Sequence, residues 1–155
     1  MKITFIRHGH SQSNELNILS SSADDEFYLT DKGVAEIKKA ALEFRPSAVE
    51  NVIFISSPLK RTVHSAQVYM KAIGKSNDEL AIDPRIRELD YGKFSGKENV
   101  GHIQEKIDEA YSKFKKDGDN LFRVGKTGEN NYEFLMRKYI NMYLSLNPSI
   151  IMCTK

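Results

Sequence analysis

Arg7-His8-Gly9 stands where a short apolar run, Ile3-Thr4-Phe5-Ile6, gives out. The β-branched and aromatic residues of that run predict a buried strand. A glycine directly after it lets the backbone turn tightly and approach a ligand closely. A histidine and an arginine at such a strand end could supply a nucleophile beside a fixed positive charge. In open α/β sheets, ligands bind at the carboxyl edge of the strands. By average composition the tripeptide arises by chance in roughly one in a hundred chains of this length. Its position and its companions therefore carry more weight than the tripeptide itself. Arg61 follows a second strand-like run, Val52-Ile53-Phe54-Ile55, and falls on the first turn of the next expected helix. Helix N-termini favour anions through free N–H groups and the macrodipole. Arg7 and Arg61 together could hold a phosphate with forked hydrogen bonds, with His8 between them. Glu88 lies in a long irregular stretch able to fold over the same edge.

The elements that must position these residues follow from pattern and punctuation. A first strand is expected at about 2–7, then a polar loop containing Ser20-Ser21-Ser22 and Asp24-Asp25-Glu26. Thr30 reads as an N-cap and 31–44 as a helix with Val34, Ile37, Ala41 and Phe44 facing the core. Pro46 ends it. After the second strand, Ser57 reads as a cap and Pro58 as the first position of a helix that runs to Ile73 and stops at Gly74. Ala81-Ile82 is a weak strand, and 84–101 is irregular. Charged amphipathic residues predict a helix over 102–116, broken at Asp117-Gly118-Asp119. A further helix is expected over 130–145, burying Phe134, Leu135, Tyr139 and Leu144, and Pro148 ends it. Ile150-Ile151-Met152-Cys153 reads as a third buried strand. The alternation implies an α/β fold with a mostly parallel sheet, helices on both faces and right-handed crossovers. Its first, second and last strands deliver His8, Ser56 and Thr154 to one edge.

With 155 residues, 40% of them apolar and 28% charged, the chain suits one ordinary globular domain, 1–155. A net charge of +2 argues against nucleic-acid or membrane-surface partners. No apolar run approaches the roughly 20 residues of a membrane span, and the opening apolar run is too short for a signal peptide. The one cysteine, Cys153, excludes an internal disulfide and a thiolate metal cluster. A cytoplasmic setting is expected.

The ordered motifs resemble the histidine phosphatase superfamily, also called phosphoglycerate mutase-like. The matching segments are Arg7-His8-Gly9-His10-Ser11-Gln12-Ser13-Asn14, Leu29-Thr30-Asp31-Lys32-Gly33 and Ser56-Ser57-Pro58-Leu59-Lys60-Arg61-Thr62. They continue with Arg87-Glu88-Leu89-Asp90-Tyr91-Gly92, Gly96-Lys97 and Gly128-Glu129-Asn130. They run in family order over nearly the whole chain. The resemblance implies a three-layer α/β/α sandwich and a metal-independent phosphatase acting on small phosphomonoesters, without a cofactor. His8 would take the phosphoryl group, Arg7 and Arg61 would clamp its oxygens, and Glu88 would protonate the leaving oxygen and then activate water. Ser11 and Asn14 would be secondary contacts to phosphate or substrate. Such a phosphohistidine suits hydrolysis by water, and the transferring group needs fixed cations.

One departure from the family pattern bears on activity. The family carries a second active-site histidine just after a strand resembling Ile150–Thr154, and here Lys155 stands in its place. This implies that the C-terminal part of the fold is missing. The alternative function is then a catalytically impaired phosphate-binding module or remnant; a phosphoglycerate mutase ranks behind both. A sheet short of neighbours is expected to dimerise, swap or aggregate. Blander readings stand beside these. His8 could be a strand-end histidine bonded to backbone, Arg61 a solvated helix charge, and Glu88 or Asp90 half of a surface ion pair. His64 reads first as a packed or surface residue, Asn14 as a loop cap, Cys153 as a small buried hydrophobe, and Lys113-Phe114-Lys115-Lys116 as a solvated helix end.

Overall fold

A computed structural model describes residues 3–46, 52–117, 123, 127–137 and 149–154. Among the described residues four strands form one sheet: β1 (Ile3–Arg7), β2 (Val52–Ser56), β3 (Leu80–Ile82) and β4 (Ser149–Thr154), in the order β1-β4-β2-β3. Every pairing is parallel. Parallel neighbours need crossover connections, and the intervening helices supply them. In register, Arg7 lies beside Thr154 and Ser56 beside Cys153. The carboxyl ends of β1, β4 and β2 therefore meet at one edge, as the sequence pattern predicts. Lys155 lies outside the described residues.

Two helices, α2 (Asp31–Glu43) and α3 (Lys60–Ala72), pack on each other, and α3 also packs on the sheet. Thr30 caps α2 by accepting the Gly33 N–H at 3.2 Å. Ile37 and Ala41, one turn apart, enter a core with Leu29, Phe54, Tyr69, Met70 and Ile73. On α3, Ala66, Tyr69 and Met70 are buried along one helical face, followed by Ile73 at its C-cap. Each fully buried large apolar side chain contributes about 1.5–3 kcal/mol. Phe44 departs from expectation. It lies 63% exposed beyond the end of α2, and its carbonyl accepts the Tyr69 hydroxyl at 2.7 Å. Its backbone, not its ring, meets the core.

The start of α3 also differs. The helix begins at Lys60 with Leu59 as N-cap in an extended conformation, so Pro58 lies before it. The Ser57 hydroxyl pairs with Thr62 Oγ1 at 2.7 Å instead of capping. Gly74 terminates the helix at φ +82, as expected. The polar loop after His8 contains a short helix, α1 (Gln12–Glu15).

Helix α4 (Gly101–Asp117) holds the irregular stretch in place. Its Ile103, Ile107 and Ala110 form a second core with Phe94, and Leu19 and Tyr91 pack against it. The two long loops are also laced together by backbone. Leu19 N donates to Lys97 O at 2.9 Å, and Gly96 N donates to Leu19 O at 2.6 Å. The expected late helix is described only as α5 (Asn131–Leu135), with Met136 and Arg137 in a wider turn. Leu135 is 38% exposed rather than buried. The rest of that expected helix, with Tyr139 and Leu144, lies outside the described residues. Among the described residues, no helix is long and apolar enough to cross a membrane.

Candidate active site

His8 and Arg61 meet at the carboxyl edge. His8 follows β1 and is 8% exposed; Arg61 lies on the first turn of α3 and is 5% exposed. His8 Nδ1 is 2.7 Å from Gly9 O. A carbonyl oxygen only accepts, so Nδ1 carries the proton and Nε2 keeps its lone pair. Arg61 Nε–H donates to that Nε2 at 3.0 Å. The same guanidinium donates through Nη1 to Ser20 Oγ at 2.9 Å and through Nη2 to Ser20 O at 3.0 Å. One histidine tautomer is thus presented beside a fixed cation.

Ser65 locks the two elements together. It is fully buried, accepts the Gly9 N–H at 3.2 Å and donates to Arg61 O at 2.7 Å. The turn after β1 is thereby tied to α3. A second lock is the contact of Gly9 with Gly33. A Cβ built on Gly9 would lie 2.4 Å from Gly33 O, closer than any side chain tolerates. Thr30 reinforces it by donating its hydroxyl to His10 O at 3.2 Å.

Burial pushes the Arg61 guanidinium below its ordinary range; the charge of Glu88 pulls it back, followed by Asp25 and Tyr91, while Arg7 adds to the lowering. The group remains cationic at any physiological pH. The charges of Glu88, Asp25, Tyr91 and Arg7 thus all act on Arg61. Glu88 is 6% exposed, and its Oε1 accepts the Leu89 N–H at 2.8 Å. Arg7 is exposed at the end of β1. Ser11 is fully buried, with its hydroxyl against Ser13 Oγ at 2.9 Å and Asn14 Oδ1 at 2.8 Å. Asn14 Oδ1 also accepts the Ser11 N–H at 3.0 Å, so both residues shape the turn below His8. His64 accepts the Leu29 N–H at 3.3 Å and meets the Tyr28 ring edge-on, the packed role expected of it.

Sequence reasoning missed Ser20, Asp25 and Ser65. The Ser20-Ser21-Ser22 run is visible in the sequence, but nothing local says that it faces Arg61 across 41 residues. It also gave Glu129 no structural role. Burial alone would push the Glu129 carboxyl up, but the Arg137 hydrogen bonds, the Asp90 N–H and the charges of Arg137 and Arg87 outweigh it, so the net shift is downward. A carboxyl lowered on folding stabilises above its unfolded value and loses that contribution as pH falls through the lower, folded value. Acid melting curves of Glu129→Gln should accordingly show less stability at neutral pH and a shallower loss below pH about 4.5 than the parent chain. Parallel curves would remove Glu129 as an acid-sensitive tie.

The histidine phosphatase superfamily (branch 1) model matches residues 3–139. The chain belongs to this superfamily, and its fold is the α/β fold of phosphoglycerate mutase-like proteins. A 2,3-bisphosphoglycerate-dependent phosphoglycerate mutase of Thermoplasma acidophilum is 36% identical over 118 residues, which is 70% of this chain and 56% of that protein. The chain spans about half the length of the curated relatives it matches. The alpha-ribazole phosphatase of Shigella flexneri superposes with a TM-score of 0.68 at 20% identity, over 100% of this chain and 74% of that one. The phosphoglycerate mutase of Thermus thermophilus gives 0.68 at 22% identity, over 99% and 77%. At such identities these structures speak for the fold.

Proposed function

We propose that this protein is a phosphomonoesterase that works through a phosphohistidine at His8, on small phosphorylated substrates and without a metal. The observation that carries this reading is the paired geometry of His8. Nδ1 is committed to Gly9 O, and Nε2 stands 3.0 Å from a buried arginine. In the proposed reaction a phosphate monoester displaces Nε2 from Arg61 and takes that N–H, and the exposed Arg7 covers a second oxygen. Nε2 attacks phosphorus as the ester P–O bond breaks, and Glu88 gives its proton to the leaving oxygen. Charge on the phosphoryl oxygens is met by the Arg61 and Arg7 guanidinium groups. The phosphorylated ring keeps its Nδ1–H on Gly9 O. Glu88, now a carboxylate, takes a proton from water, whose oxygen attacks phosphorus and restores His8.

The test is release of phosphate from p-nitrophenyl phosphate in the presence of EDTA, with the reaction quenched and the protein analysed. An acid-labile phosphoryl group on the His8 peptide and continuing turnover are expected. Phosphate binding without turnover would favour the phosphate-binding module instead. The naming of the Thermoplasma relative favours a mutase as a further reading. A phosphoenzyme that delivers its group to an added phosphoglycerate faster than to water would establish that reading.

A further inference from the structure

The segment bearing Glu88 is held from behind by one guanidinium. Arg137 Nε donates to Glu129 Oε1 and Nη2 to Glu129 Oε2, both at 2.6 Å. Nη1 donates to Arg85 O at 2.9 Å and to Arg87 O at 3.1 Å. Nη2 also donates to Glu88 O at 3.3 Å. These contacts occupy all five N–H donors of an arginine. The ion pair is largely buried, with side chains 18% and 13% exposed. Glu129 closes the loop from its other side. Its Oε2 accepts the Asp90 N–H at 3.2 Å, and its own N–H donates to Asp90 O at 2.9 Å.

The surroundings fix the clamp in turn. Asn130 and Glu133 form a reciprocal cap at the start of α5. Gly128 backs directly onto the loop, since a Cβ there would lie 2.2 Å from Asp90 O. Three carbonyls of one irregular segment converge on this single donor group, which meets a need that a regular ladder would otherwise meet. A lysine at this position offers a single point charge and cannot fork between a carboxylate and three carbonyls.

We propose that Arg137, braced by Glu129, is a positioning residue that aims the Glu88 carboxyl at the leaving oxygen by fixing the backbone at Arg85, Arg87 and Glu88. The inference rests on the proton-donor role given to Glu88 above. Arg137 does not touch substrate: its donors are spent on protein.

The test compares kcat/KM for two monoesters of the intact chain, p-nitrophenyl phosphate, whose leaving group needs little protonation, and a simple alkyl phosphate, whose leaving group needs it. Arg137→Met and Arg137→Lys should each lose about tenfold more on the alkyl ester than on the aryl ester, and Glu88→Gln should show the same pattern more strongly. Equal losses on both esters in the Arg137 variants, with Glu88→Gln discriminating, would overturn the positioning role. If Glu88→Gln itself fails to discriminate, the proton-donor reading fails instead. The clamp is then decided by hydrogen exchange. Arg137→Met should speed exchange of the Leu89 and Asp90 amides about tenfold with α2 and α3 unchanged, and unchanged protection of those two amides would overturn it.

Discussion

Replacing His8 by alanine is expected to lower turnover of phosphomonoesters by about 10⁴-fold or more, to the level at which no phosphoryl group can be trapped on the protein. The magnitude follows from the proposed chemistry, in which the substitution removes the nucleophile. Binding should behave differently. Arg61 keeps both contacts to Ser20, and Arg7 is untouched, so affinity for inorganic phosphate should change by only a few-fold. The fold should survive as well, since the His8 ring is held through its neighbour's carbonyl and Arg61, both of which remain. Calorimetric phosphate titration beside initial rates separates the two quantities. Retained turnover in His8→Ala would sink the phosphohistidine reading. Loss of phosphate binding together with turnover would mean that His8 holds the anion rather than reacting with it.

Gly33→Ala should be among the most destabilising single substitutions in the chain, although it lies in a helix. Inside an ordinary helix this change stabilises by about 1 kcal/mol. Here the sign reverses. A Cβ on Gly33 would lie 2.0 Å from His10 O and 2.8 Å from His10 N. Both are backbone atoms and cannot swing aside. Either α2 or the turn after β1 must retreat, and the Thr30 bonds to Gly33 N and His10 O oppose both movements. A loss of roughly 3 kcal/mol is expected, which for a domain of this size lowers Tm by about 10 °C. The displaced turn also carries His8, so activity should fall even at temperatures where the variant is folded. Gly96→Ala is the control. Its Cβ meets nothing within 4 Å, and only the φ of +76 is strained, at a cost of about 1 kcal/mol. Similar melting temperatures for the two variants would refute the close-approach argument.

The elements legible in the sequence were those whose signal is local. The strand ending at Arg7, the Thr30 cap, the stop at Gly74 and the strand over Ile150–Cys153 each rest on a few neighbouring residues, and each was found, although the first strand is not the buried one expected, with Phe5 52% exposed. Local reasoning failed where side-chain bonds or a distant neighbour decided the outcome. Pro58 is a good first helical residue, but Leu59 behind it is extended, and the Thr62 hydroxyl lies 2.7 Å from Leu59 O and 3.0 Å from Ser57 O, so the helix starts only at Lys60. Phe44 has the right spacing for the core, yet α2 ends before it and Tyr69 claims its carbonyl. In the candidate site, His8, Arg61 and Glu88 were legible as candidates because their types announce chemistry. Ser20, Ser65 and Arg137 were not, because a serine or arginine that fastens backbone looks like any other until the distant segment it fastens is known.

The strand order sets a schedule for the assembly of the site. β1 and β2, which lead to His8 and Arg61, are not neighbours in the sheet; β4 lies between them and pairs with both. A chain emerging from the ribosome can form α2 and α3 early, but it holds two unjoined sheet edges until the segment ending at Thr154 has been made. The candidate site is thus completed by the latest of these strands to arrive, and its readiness reports that synthesis has passed that point.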